Sequence, residues 1–166
     1  GYITSNYLSW EPFLVIILFA LMFFGGSAGS TGGSIKIMRI VLLLKNSYYE
    51  LKRLIHPNAV IPVRYNGHNV SPRILSNVLA FAVFYILIFG IGVILISVTE
   101  PSIDSAFGAV ATTLGNVGPG LGSVGPMENF YHISDFGKWF LSFLMMLGRL
   151  ELFTVLILFS PSFWKK

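Results

Sequence analysis

Few side chains in this sequence are placed to do covalent chemistry. None of the 166 residues is cysteine, which removes thiolate nucleophiles, thiolate metal sites and disulfides together. His56, His68 and His132 share no metal-ligand spacing and read as loop residues. Ser27 and Ser30 have no base within reach along the sequence, so an intramembrane enzyme lacks its nucleophile–base pair. The chemistry on offer is that of backbone oxygens. In NVGPG (116–120) the carbonyls serve neither a helix nor a sheet, and a dehydrated cation would satisfy them. Gly118 permits the positive φ that turns successive carbonyls to one side. Asn116, Val117 and Gly118 are therefore the candidate ligands of a cation, bound through their carbonyls. The blander alternative is a glycine-rich external loop with no role in transport.

A second unusual stretch, GGSAGSTGGS (25–34), packs five glycines and four hydroxyl residues into ten positions. Such a run cannot stay helical in lipid unless other groups satisfy its backbone. A phosphate-binding loop is excluded because no Gly-Lys-Ser/Thr follows the glycines. A small-residue helix-packing motif is the structural alternative. GLGSVG (120–125) matches the dinucleotide fingerprint formally, but it follows no strand and opens no helix. The third feature is Arg149, in an apolar run 11 residues past Lys138 and 16 before Lys165. A charge at that depth costs at least about 2.5–3.5 kcal/mol and faces a cavity or a partner. Loop groups of 25–34 are the candidate partners. A buried ion pair with Glu151 or another helix is the alternative.

The elements that must position these residues belong to a membrane protein. Hydrophobic residues make up 54% of the chain and charged ones 11%, with a mean hydropathy of +0.75. A soluble domain carries about 25% charge, so an ordinary globular enzyme, a disordered chain and a nucleic-acid module are all excluded. Only Ile74–Thr99 is a plain spanning run; Pro12–Ile35 and Ser105–Met127 are interrupted by glycines, and Phe136–Ser160 carries Arg149 and Glu151. Residues 36–73 hold seven basic residues against one acid, whereas 100–135 holds four acids and no Lys or Arg. The positive-inside bias puts 36–73 and the C-terminus in the cytoplasm and 100–135 outside.

Local signals predict a helix opened by Ser71-Pro72 and a half-length helix of about 15 Å capped by Asp104, ending at Gly115. They also predict a last helix capped by Ser134 and ended by Pro161. VIPVRYNGHNV reads as a β-hairpin turned at Asn66-Gly67. The N-terminus shows no signal peptide and no start Met, so the chain reads as the tail of a longer one.

The order helix, half-helix, NVGPG, helix resembles one repeat of the Trk/Ktr/HKT superfamily of potassium transporters. GGSAGSTGGSIKIMRI, LKRLIHPNAVIPVRYNG, TTLGNVGPGLG and MLGRLELFTVLILFSPSFW resemble its TrkH branch, over essentially the whole chain. The resemblance implies an all-α integral membrane fold of channel-like repeats with a small hairpin in the cytoplasmic linker. Residues 1–47 would end the third repeat, 48–71 would be the linker and 72–166 the fourth repeat. Gly1 would match the third repeat's filter glycine, and Trp10–Ser47 would be its second, broken transmembrane helix. Gly25, Gly26, Ser27, Gly29, Ser30, Thr31, Gly32 and Gly33 would belong to an intramembrane gate, with Arg149 beneath the filter. Asn116 stands where potassium channels have Thr and Pro119 where they have Tyr. The implied function is potassium uptake across a bacterial inner membrane by a multi-pass protein, with no catalysis and no cofactor beyond the transported ion. The implied partners are a second copy and a cytosolic TrkA-like nucleotide-binding subunit, with no nucleic acid. A broken-helix secondary transporter for another cation, coupled to Na⁺ or H⁺, is the rival.

Overall fold

The computed structural model describes residues 2–27, 29–30, 32–59, 61–150, 152–158 and 161–164. It is mostly helical. A 3-10 turn at Tyr7–Ser9 comes first, capped by the Asn6 side chain, which accepts from the Leu8 N–H at 3.1 Å. α1 (Pro12–Leu21) then starts on a proline, whose missing N–H costs nothing in a first turn. The helix stops before the glycines, and α2 (Ile37–Ile55) begins after them. The break therefore falls where glycine content demanded it.

The hairpin forms as the Asn-Gly pair predicts. β1 (Arg64–Tyr65) and β2 (His68–Asn69) pair antiparallel, with Arg64 opposite Asn69 and Tyr65 opposite His68. Asn66 and Gly67 take φ of 48° and 81°, the two positive values a type I′ turn requires. Leu42, Val63 and Val78 form a small buried cluster that ties the hairpin to α2 and to the next helix.

α3 (Pro72–Ser97) has 26 residues, about 39 Å at 1.5 Å per residue. Among the described residues it is the one helix long and apolar enough to cross a membrane. Ser71 occupies its N-cap position without a side-chain bond, so Pro72 is what starts it. α4 (Ile103–Gly115) is longer than expected, at 13 residues or about 20 Å. Its cap is Ser102 and not Asp104: the Ser102 hydroxyl accepts from the Ser105 N–H at 3.3 Å. Asp104 sits in the first turn, where a negative charge complements the helix dipole.

The last helix differs most from expectation. α5 (Asp135–Arg149) is capped by Ser134 as foreseen, but the run does not continue to residue 160. α6 (Leu152–Leu158) resumes after Leu150, and Pro161, expected to end a helix, is itself helical in α7 (Pro161–Trp164). Gly148 weakens the helix just before the break, and the Met145 carbonyl there accepts a side-chain bond from Asn116. Both features lie within the last turns of α5.

α4 runs through the core. Every residue from Ser105 to Gly115 except Phe107 is buried, against α3 on one side and α5 on the other. Ala106, Ala109, Val110 and Leu114 meet Phe81, Tyr85, Val93 and Ile96 of α3 and Leu141, Leu144 and Leu147 of α5. Gly, Ala and Thr dominate the helix because only small side chains let two longer helices and a loop close on it together.

Candidate functional site

The buried helix delivers its C-terminal end to the 116–120 turn. Asn116 ends α4 in the left-handed conformation, φ 54° and ψ 40°, and Gly118 follows at φ 117°. Thr112 shapes what comes next. Its hydroxyl accepts from the Gly118 N–H at 2.9 Å and donates to the Pro119 carbonyl at 3.1 Å, while its own carbonyl accepts from the Val117 N–H at 2.9 Å. Asn116 and Gly118 are exposed and Val117 is half-buried. No hydrogen bond between described residues ends on the carbonyls of Asn116, Val117 or Gly118. A helix C-terminus carries about half a negative charge, so three open carbonyls stand at the negative end of α4. The negative end of a helix dipole beside carbonyl oxygens is the electrostatic setting that suits a cation.

The return segment is pinned more tightly than the sequence suggested. Gly120 is buried, with its N–H on the Val124 carbonyl at 2.8 Å and its carbonyl accepting from the Tyr7 hydroxyl at 2.5 Å. Burial raises the Tyr7 phenol pKa above its ordinary value of 10.0, so Tyr7 remains a donor at physiological pH. Gly108 lets the return segment lie directly on α4, since a Cβ there would collide with the Leu121 backbone. Farther along, the Ser123 hydroxyl donates to Glu100 at 3.2 Å, and His132 Nε2 lies 2.9 Å from the same hydroxyl and 3.3 Å from the carboxylate. His132 is a loop residue, as expected, and it also has partners. It closes a polar cluster over the buried Glu100.

The 22–36 segment approaches the same helix end. Its neck is closed by the Gly25 N–H on the Ile35 carbonyl at 2.8 Å and the Ile35 N–H on the Phe23 carbonyl at 3.1 Å. Ser34 is buried at φ 62°, and its hydroxyl is shared between the carbonyls of Met22, at 2.6 Å, and Gly115, at 3.2 Å. Gly33 packs beneath Asn116, where a Cβ would fall 2.5 Å from the Gly115 carbonyl. The far part of the segment is looser: Gly26, Ser27, Gly29 and Gly32 are exposed. Two of the expected site residues, Gly1 and Thr31, lie outside the described residues, as does Glu151.

α5 completes the surround of the helix end. The Asn116 amide donates to the Met145 carbonyl at 3.2 Å, and Gly148 sits so close that a Cβ would collide with the Leu114 carbonyl. Arg149 follows Gly148 directly, in the last turn of α5, and is exposed. The structure thus gathers Asn116, Gly33, Ser34 and the α5 terminus around one carbonyl cluster.

A family model described as TrkH, cation transport protein, matches residues 1–166. The chain belongs to the TrkH cation transport family. It is 43% identical over its full length to the Trk system potassium uptake protein TrkH of Escherichia coli K12, covering 34% of that protein. The Vibrio parahaemolyticus protein of the same name is 42% identical over 165 residues, again with 34% covered. The crystal structure of the potassium transporter TrkH from Vibrio parahaemolyticus superposes with a TM-score of 0.90 at 42% identity, over 99% of this chain and 35% of that one. The chain spans about a third of the length of these TrkH relatives and aligns to their C-terminal third.

Tyr7, Thr112, Ser34 and the Glu100–Ser123–His132 cluster were not singled out from sequence. Thr112 had a local signal, since it stands four residues before the Asn116 that ends its helix. The others act over long separations: 113 residues between Tyr7 and Gly120, and 81 between Ser34 and Gly115.

Proposed function

We propose that this chain is the C-terminal portion of a multi-pass potassium uptake protein of a bacterial inner membrane. The observation that carries the proposal is the 116–118 turn: carbonyls with no hydrogen bond from the described residues at the end of a buried 13-residue helix. In this reading α4 is a pore helix and the carbonyls of Asn116, Val117 and Gly118 line the ion path as one of four filter segments. Residues 1–47 end the third pore repeat, 48–71 form the cytoplasmic linker and 72–166 are the fourth repeat. The exposed apolar residues of α3, among them Leu79, Ile86 and Ile94, are the lipid-facing side of a spanning helix. The 25–34 loop gates the path below the filter together with Arg149. The relatives' names place them in a Trk system, and by analogy this protein works as a homodimer with a TrkA-like nucleotide-binding subunit. No step is chemical catalysis; the ion is cargo.

The test uses the full-length protein. Gly118 holds φ 117°, a conformation L side chains rarely adopt, so Gly118→Ser must reorient the neighbouring carbonyls. K⁺ over Na⁺ discrimination should fall in a flux assay on proteoliposomes. An unchanged uptake ratio at normal abundance would contradict the filter reading.

One observation favours a second reading. The run α5–α6 is broken as well as α1–α2, and paired discontinuous helices are the mark of secondary transporters. That reading predicts uptake driven by a Na⁺ or H⁺ gradient and abolished when the gradient is collapsed. A conducting pore follows the potassium electrochemical gradient alone.

A further inference from the structure

Tyr7 is well placed to do more than fill space. It belongs to the N-terminal segment, which the proposed reading assigns to the repeat before α4. Its 3-10 turn is closed by the Trp10 N–H on the Tyr7 carbonyl at 3.2 Å, by the Asn6 cap, and by the Ser9 hydroxyl on the Asn6 carbonyl at 2.8 Å. The next residue, Leu8, packs against Gly125, where a Cβ would collide with it. The turn is thus fixed against the return segment, and the phenol arrives buried and aimed at the Gly120 carbonyl.

The consequence lies in how Gly120 is held. Its N–H is on Val124 and its carbonyl on Tyr7, so neither flanking peptide is free to rotate. Pro119, before it, is fixed by Thr112. The carbonyls divide into two groups: those of 116–118 stay open, and those of 119 and 120 are turned into the protein by a hydroxyl each. Without the phenol, the Gly120 peptide would have no hydrogen-bond donor and would be free to flip toward the open side. Glycine offers little resistance to such a flip.

We infer that Tyr7 is a positioning residue for ion selectivity, which by holding the Gly120 carbonyl away from the ion path limits the ligand row to the carbonyls of 116–118. The inference rests on reading 116–118 as a filter. It concerns a residue from the adjoining repeat, so one segment sets the ligand geometry of the next. A row with a variable fourth oxygen adapts to the smaller ion, and discrimination against Na⁺ is lost first.

The experiment compares wild type, Tyr7→Phe and Gly118→Ser in the full-length protein, purified and reconstituted, with K⁺ and Na⁺ uptake measured separately. Tyr7→Phe keeps the ring and removes one hydrogen bond. The expected result is a fall of about fivefold in the K⁺/Na⁺ ratio, the effect of one net hydrogen bond, carried by a rise in Na⁺ uptake. The ratio does not depend on protein amount, so reduced yield leaves the test intact. K⁺ and Na⁺ uptake falling in proportion, or an unchanged ratio in Tyr7→Phe while Gly118→Ser lowers it, overturns the role of Tyr7. A wild-type protein that does not discriminate, or a Gly118→Ser that leaves the ratio alone, overturns the filter reading itself.

Discussion

Two glycine-rich segments meet at the C-terminal end of α4, and they are held in opposite ways. Along 112–125 the backbone is fastened at short intervals by side chains from different elements, Thr112 and Ser105 from α4 and Tyr7 from the N-terminal turn, while Glu100 and His132 hold the Ser123 hydroxyl at the far end. Along 22–36, among the described residues, the link to α4 runs through Ser34, and the other bonds are local backbone ones: Phe23 and Gly25 with Ile35, Gly26 with Ile37, and Ser27 with Ser30. Beyond the neck, the Ser30 hydroxyl is buried with no hydrogen-bond partner among the described residues. Similar composition has produced a turn fastened by distant side chains in one place and, among the described residues, a loop held mostly by its own backbone in the other. Glycine content marks where regular structure stops; the long-range hydroxyls decide whether what replaces it is rigid.

The largest effect should come from closing the space that both segments share with α5. Gly148→Ala puts a methyl into the Leu114 carbonyl and within 2.6 Å of the Asn116 amide. Backbone cannot yield as a side-chain tip does, so the cost should reach or exceed about 3 kcal/mol. Membrane abundance and thermal stability in detergent should both fall sharply. Gly90→Ala, where nothing lies within 4 Å, is the matched control and should be neutral or slightly stabilising. Equal behaviour of the two variants would mean that α5 does not press on the turn.

Arg149 tests whether the loosely held segment is part of a barrier. A fixed positive charge about 6 Å from a permeating cation opposes it by roughly 3 kcal/mol at an effective dielectric of 20, equivalent to about a hundredfold in rate. Arg149→Ala should therefore raise flux at normal abundance, and Arg149→Lys should keep part of the barrier. A buried structural pair predicts the reverse, because breaking one costs about 3–5 kcal/mol and would appear as lost expression. Normal abundance with flux unchanged or reduced refutes the barrier.

Ser34 is where the two segments touch, and its effect should be intermediate. Ser34→Ala leaves two buried carbonyls short of a donor, a loss of about 1–3 kcal/mol. Ser34→Gly loses the same hydroxyl but relieves the strain of φ 62°, worth roughly 1–2 kcal/mol less an entropic cost of about 0.5–1. Glycine should therefore melt higher than alanine in a thermal scan. The opposite order would show that the left-handed backbone at 34 is not a constraint.

Much of this architecture was legible because it is written locally. The unbroken apolar run of α3, the Asn66-Gly67 turn and the glycine break before α2 each follow from residues within one window. The positive φ at Gly118 was also foreseeable, since only glycine there lets the carbonyls turn together. What could not be read depends on distance. Nothing near Tyr7 announces Gly120, and nothing near Ser34 announces Gly115. The α5 break carries no proline to announce it: Gly148 and the charged pair Arg149 and Glu151 around Leu150 interrupt an otherwise apolar run, while one contact at the break, from the Asn116 amide, comes from 29 residues away. The partners of His132, Ser123 and Glu100, are hidden for the same reason.

The smallest effect sharpens the comparison most directly, because it puts the same backbone demand into both segments. Gly29 holds φ 83° with nothing within 4 Å of a Cβ, and Gly118 holds φ 117°. Alanine at either site pays the left-handed penalty of roughly 1–2 kcal/mol. At Gly118 the neighbours are fastened, through Thr112 on both sides of the residue, so the strain has no outlet except the carbonyl directions, and selectivity should change. Gly29 itself is exposed and a Cβ there would meet nothing within 4 Å, so the loop has room to relax into another conformation. Gly29→Ala should then leave the K⁺/Na⁺ ratio and the melting temperature near wild type and alter total flux by less than about tenfold. Asn at 29, which tolerates the left-handed region, should restore even that. If Gly29→Ala instead shifts the ion ratio as Gly118→Ala does, the loop is coupled to the turn as rigidly as the turn is to α4, and the distinction between the two segments fails.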